Sequence, residues 1–461
     1  MSVLNNITFI FITTAAMSYG WGMRGTTIGG EKGAMLPGAI AGVMLALFSG
    51  SPFLLENFFF LSALGSMGMY YGGCMTYGET LSLSLASRPA PNMKKGLFAL
   101  FVKGFLWFAV FAEILTLGIA ALTGKYFSVK EIIVMFLLMP VVMITFLFIF
   151  NRPHNKEEKI FPKIYFSVTR KESWGAMFGL FALLFIIAIV KKIPFVLEFT
   201  LVCALFGGVG WVIAQLAHVF CLQYSKDFKN PFLKMFSKRS VSPWKVMECV
   251  LGAFAGLGIS IAFILFQNAF KKLASFSSSG FWAPTLQYDK IFTYIFLIIL
   301  AFDMLHYFTK SKKIQSIAEV LEFPFYATIP TLLVFLGNKD VAQLSSFFVI
   351  YWVFVQEISF EKPNKLKHPR VFKPIFTATG IAIIIAQLCF DVVFSLTLTV
   401  LLYGVFYEVF TLIYLLQRYN KNTAPNYDNS FKKYLFTTEI ATVHTYFIVC
   451  IIIFTSFILF Y

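Results

Sequence analysis

Residues 97–122 read LFALFVKGFLWFAVFAEILTLGIAAL, an apolar run interrupted by only two charged side chains, Lys103 and Glu113. About 20 apolar residues carry an α-helix across the hydrocarbon layer of a bilayer, so this stretch reads as a transmembrane helix. Comparable runs recur along the whole chain. The composition agrees: 58% of the 461 residues are hydrophobic and only 13% are charged, about half the charged fraction of a soluble domain. The fold expected is an all-α, polytopic transmembrane helix bundle.

Hydropathy places about fourteen spans, near residues 7–22, 34–50, 55–73, 97–122, 131–150, 173–190, 194–221, 246–270, 290–309, 323–337, 341–358, 373–389, 392–417 and 436–460. Several are shorter than a full crossing, so the tenth and eleventh, or the twelfth and thirteenth, are candidates for tilted, re-entrant or merged segments, within a range of 12 to 14 spans. The whole of 1–461 is then a single membrane domain.

The basic residues test this division independently. Loops after odd-numbered spans hold 29 of the 38 Lys and Arg residues; loops after even-numbered spans hold 8, and Lys103 lies inside a span. That asymmetry follows the positive-inside rule, so the odd loops are expected in the cytoplasm and both termini outside. The net charge of +16 therefore reports topology and anionic lipid headgroups, with no nucleic-acid partner implied. The apolar N-terminal stretch lacks a basic leader and reads as a retained span, not a cleaved signal. The expected location is a plasma membrane, the bacterial inner membrane, with lipids as neighbours.

Two segments echo each other. EKGAMLPGAIAGVMLAL at 31–47 resembles ESWGAMFGLFALLFIIA at 172–188, and ALGSMG at 63–68 resembles ALFGGVG at 204–210. The nearly constant offset is consistent with a parallel repeat of units 1–122 and 128–270, followed by helices over 290–460. Packing of small residues between helices would select the same pattern, so the echo admits both explanations. A third echo, ECVLGAFAG, spans 248–256.

Between the first two spans lies SYGWGMRGTTIGGEKGAMLPGA, residues 18–39. GWGMRG matches a dinucleotide fingerprint in letters only, because no strand precedes it, and GGEKG lacks the P-loop spacing. Unwound backbone at membrane depth survives only where protein or a wet cavity satisfies it. Arg24 and Lys32 bring positive charge there, and the second span begins with free N–H groups. Together with Tyr19, Trp21 and Glu31 they form a candidate site for a small anion. The second break, MYYGGCMTYGETLSLSLASRPAP at 69–91, offers Tyr77 and Glu79, and Glu79 is the expected partner of Arg24. Capping offers a simpler role for Glu31, Glu172 and Glu248, which all stand at helix starts.

Ionisable residues inside membrane spans are functional candidates. Glu113 is the acid deepest in an apolar run, and Asp303 and His306 share a helix face. With His218 they are candidates for coupling a proton or an ion. Gln215, Glu408 and His444 are also expected to face the bundle interior. No zinc-ligand cluster, HExxH or nucleophile elbow occurs, and the six cysteines lack metal or disulfide spacing, so neither metal nor cofactor is expected.

The function expected from these features is a secondary transporter or flippase for an anionic small molecule or lipid-linked anion. The alternative is a membrane-embedded transferase acting on a lipid- or polyprenyl-phosphate donor, with Glu31, Glu79 or His306 as base.

Overall fold

The structure is a computed structural model that describes residues 3–24, 30–75, 77–85, 92–152, 166, 172–193, 195–224, 243–274, 327–346 and scattered positions between 291 and 349. All of these belong to one of the chain's two compact units; the other comprises residues 226–242 and 350–461. The spans expected at 373–389, 392–417 and 436–460, with Glu408 and His444, lie outside the described residues, as do Asp303 and His306.

Among the described residues every regular element is helical. In chain order they are α1 (Val3–Met23), α2 (Gly30–Phe48), α3 (Pro52–Glu56), α4 (Phe58–Gly73), α5 (Gly78–Ser82), α6 (Met93–Leu122), α7 (Val129–Phe150), α8 (Trp174–Val190), α9 (Val196–Val219), α10 (Pro243–Ala274) and α11 (Ile329–Phe335). The first eight expected spans coincide with α1, α2, α4 and α6 to α10. Five helices (α2, α6, α7, α9 with its terminal π-helical turn, and α10) are long and apolar enough to cross a membrane. The protein is therefore read as an integral, multi-pass membrane protein.

Helix ends follow local chemistry. Asn92 accepts the Lys95 N–H at 2.9 Å and caps α6. Ser128 and Glu131 form a reciprocal capping box at the start of α7, which satisfies two N–H groups a bare helix end would leave open.

Six helices close a ring in chain order: α1 packs on α2, α2 on α4, α4 on α6, α6 on α9, α9 on α10, and α10 returns to α1. Glycine sets the spacing at two seams. A Cβ on Gly42 would stand 2.0 Å from the Leu61 carbonyl oxygen, and one on Gly252 would stand 2.3 Å from that of Met17. Without a hydrophobic force between helices in lipid, such backbone-to-backbone approach is a main source of cohesion.

Outside the ring, α7 packs on α8 and α8 on α6. The contrast in burial is sharp: α6 is covered over most of its length, whereas α7 exposes Leu137, Val141, Ile144 and Phe148 on one face. An apolar stripe of that length facing outward suits lipid, not water. The sequence echo between α2 and α8 is not mirrored in their packing, since α2 is a ring member pressed on α4 while α8 touches α9 only lightly.

Candidate functional site

Arg24 directly follows α1 and is fully buried. Its placement depends on glycine: a Cβ on Gly22 would lie 2.5 Å from Cys249 Sγ, so only a bare backbone lets the end of α1 meet α10 here. Ser18 fixes the same junction by donating to the Cys249 carbonyl at 2.9 Å. One residue earlier on α10, Glu248 is also fully buried.

Arg24 Nη1 donates to both Glu248 carboxylate oxygens, at 2.9 and 3.3 Å. Its Nη2 and Nε donate to the Gly30 carbonyl at 3.0 and 3.3 Å. Trp21, Tyr77 and Trp107 surround the guanidinium, with ring centroids 5.1 to 5.2 Å from Cζ. Desolvating two charges costs several kcal/mol each, so such a pair is tolerable only when further hydrogen bonds satisfy it. The Gly30 carbonyl and the ring faces supply that compensation.

The aromatic wall continues beyond Arg24. Trp107 lies 5.3 Å from Trp21 and 6.3 Å from Trp211, and Tyr77 lies 5.0 Å from Trp211 between ring centroids. These rings come from α1, α6 and α9 and from the break before α5. Trp107 donates its indole N–H to the Met69 carbonyl at 2.9 Å.

A second buried cation stands on α6. Lys103 Nζ lies 2.9 Å from Glu172 Oε2 and donates to Thr80 Oγ1 at 2.9 Å. Glu172 Oε1 accepts the Phe166 N–H at 3.2 Å. On α9, Gln215 donates to the Leu81 carbonyl at 2.9 Å, and its amide oxygen lies 3.2 Å from His218 Nδ1. The short segment from Tyr77 to Leu81 is thus gripped by Arg24, Lys103 and Gln215 in turn.

The structure brings Trp21, Arg24 and Tyr77 together, as the sequence suggested. Glu31 is half-buried in the first turn of α2. Lys32 and Tyr19 are half-buried nearby in sequence, with no place in the ring of aromatics around Arg24. The expected Arg24–Glu79 pair does not form. Residues two apart in a helical turn do not share a face: Tyr77 faces Arg24, while Glu79 is buried elsewhere in the turn. Glu172 and Glu248 are not caps, because each instead meets a buried cation. Glu113, Gln215 and His218 do face the interior.

Sequence reasoning missed Trp107, Trp211, Lys103 and Glu248 as site residues. Lys103 carried a signal, a lone cation within an apolar run; the tryptophans carried none that separates them from ordinary core aromatics. Among the described residues, no group of three or more His, Cys, Asp or Glu side chains could hold a metal ion. No protein-family model, curated protein or solved structure matches this chain.

Proposed function

We propose that the protein is a secondary transporter or flippase for an anionic small molecule or a lipid-linked anion, with Arg24 as the anion-binding residue. The observation that carries the reading is the burial of Arg24 at a helix break, within an aromatic enclosure, against a single carboxylate. Guanidinium binds carboxylate and phosphate groups by the same two-pronged geometry. Glu248 then acts as a resident competitor that an incoming anion displaces.

Support for movement comes from the segment Tyr77–Leu81, which polar side chains from three separate helices hold in place. A short segment held by separate polar contacts from several helices can serve as an element with two discrete positions. In this reading Glu113, His218, Asp303 and His306 are the candidates for coupling a proton or ion. About fourteen spans and cytoplasmic odd-numbered loops belong to the same reading. A parallel repeat remains in it at the level of sequence only.

The test is thermal stabilisation of the purified, lipid-reconstituted chain by inorganic phosphate, acetate and phosphatidic acid. Glu248→Gln removes the competitor and is expected to tighten oxyanion binding about tenfold, equivalent to about 1.4 kcal/mol. Arg24→Lys keeps the charge but loses the fork and is expected to weaken it by a similar factor. Equal affinity in all three proteins would sink the proposal.

A further inference from the structure

Trp21 and Trp107 stand over Arg24, and Trp211 packs on Trp107 and Tyr77 one ring further out; of these three tryptophans only one has its indole N–H satisfied. Trp107 donates to Met69. The Nε1 atoms of Trp21 and Trp211 have no hydrogen-bond partner, although both residues are buried to within 1% of full coverage. A buried donor without an acceptor forfeits its hydration with nothing in exchange, and each such group in a folded protein calls for an explanation. Two occurring in one ring cluster, on either side of Trp107 and one of them against a buried guanidinium, point to a common cause.

Packing alone does not require indole at these places. Trp21 lies edge-on to Trp107, and Trp211 packs at a tilt on Tyr77. Phenylalanine would provide the same kind of apolar contact without a buried donor. The sites keep tryptophan at the cost of an unmet N–H, which is the pattern of a group whose acceptor arrives from outside.

We propose that the indole N–H groups of Trp21 and Trp211 are ligand-binding donors of the Arg24 site, and that the ligand is an oxyanion, a carboxylate or phosphate with several acceptor oxygens. A guanidinium with flanking N–H donors matches an ion that presents separate oxygens in different directions. A halide, with one spherical charge, has no comparable use for three donor groups drawn from the end of α1 and from α9. The enclosing ring faces add an apolar lining, so the group attached to the oxyanion is itself uncharged near its point of attachment. This inference rests on the transport reading for its site but makes a separate claim about which atoms bind.

The experiment measures binding of inorganic phosphate, acetate and chloride to the full chain in nanodiscs, with phosphatidic acid vesicles as a fourth arm. Trp21→Phe and Trp211→Phe are each expected to weaken phosphate or acetate binding about tenfold, the size of one hydrogen bond to a charged group. Chloride is expected to bind no more tightly to the wild type than to either variant. Tighter response to phosphatidic acid than to phosphate assigns the oxyanion to a lipid headgroup; the reverse assigns it to a free solute.

A second measurement avoids any dependence on variant folding. In the unaltered chain carrying ¹⁵N-labelled indoles, two otherwise weakly bonded N–H resonances are expected to shift downfield when phosphate is added. Unchanged affinity in both Phe variants, with unshifted indole signals, overturns the indole role while Arg24 binding stands. Failure of every oxyanion to bind the wild type overturns the transport reading and this inference with it.

Discussion

Arg24 Nη1 and Glu248 Oε1 lie 2.9 Å apart in the folded chain, though 224 positions separate the two residues in sequence. Both are fully buried, so neither charge has solvent to fall back on. Removing one partner is expected to destabilise the protein by about 3–5 kcal/mol, whereas replacing both with well-packed apolar residues recovers most of the loss. A thermal-unfolding cycle of Arg24→Met, Glu248→Leu and the double variant checks this. Additive losses in the double variant would show that the pair is not coupled.

Lys103 meets both Glu172 and the Thr80 hydroxyl, and the hydroxyl gives the cleaner probe. Thr80→Val keeps the shape of the side chain but leaves one donor of a buried ammonium unmet. The expected loss is about 1.5–3 kcal/mol. Faster limited proteolysis within the Tyr77–Leu81 segment should accompany it, because Thr80 is one of the three points at which that segment is held.

The α2–α4 seam should reject even a methyl group. A Cβ on Gly42 meets backbone on α4 at 2.0 Å, and one on Gly65 meets the Gly38 carbonyl oxygen at 2.1 Å. Because backbone cannot swing aside as a side chain can, Gly42→Ala is expected to cost at least about 1–3 kcal/mol. Gly30→Ala is the control. Gly30 has a φ of +58° and open space around it, so its expected cost is the backbone term alone, about 1–2 kcal/mol. Unfolding midpoints in one detergent compare the two.

Glu113 behaves differently from the paired acids. Neither of its carboxylate oxygens has a hydrogen-bond partner, and the side chain is fully buried on α6. An uncompensated carboxylate in apolar surroundings is costly, so Glu113→Gln is expected to leave the unfolding midpoint unchanged or raise it. A fall comparable to that of Glu248→Leu would reveal a partner essential to the fold.

Membrane insertion has its own signature on α7. Val141 is 59% exposed and Met139 is 2% exposed. Val141→Cys is expected to react with a lipid-soluble maleimide and to resist a charged, membrane-impermeant one; Met139→Cys is expected to resist both. Rapid reaction of Val141→Cys with the charged reagent would place this face in water.

The helices at the first eight expected spans were legible in the sequence because a long apolar run must satisfy its backbone as a helix, and five of them are long and apolar enough to cross a membrane. Arg24 and its neighbours Trp21 and Tyr77 were legible for a related reason: charge and glycine are conspicuous where apolar residues are the rule. The partner of Arg24 was not. Glu248 sits at a helix start, where an acid has a local explanation, and its true role depends on α10 returning to α1. Trp107 and Trp211 were hidden because a buried indole looks the same in sequence whether or not its N–H has an acceptor. The expectation that Glu79 faces Arg24 failed on geometry too fine for hydropathy, the direction of two side chains within one turn.

The order of the ring has a consequence in time. Its members are synthesised in chain order, and α10, the last of them, carries the counter-charge for a residue made almost at the start. At roughly 5–20 residues per second, the 224 positions between Arg24 and Glu248 take on the order of 10–45 s to translate. Throughout that interval the nascent chain holds a guanidinium at the end of α1 with its eventual carboxylate still unmade. Any product ending before α10 keeps that cation unpaired and an open seam along α1.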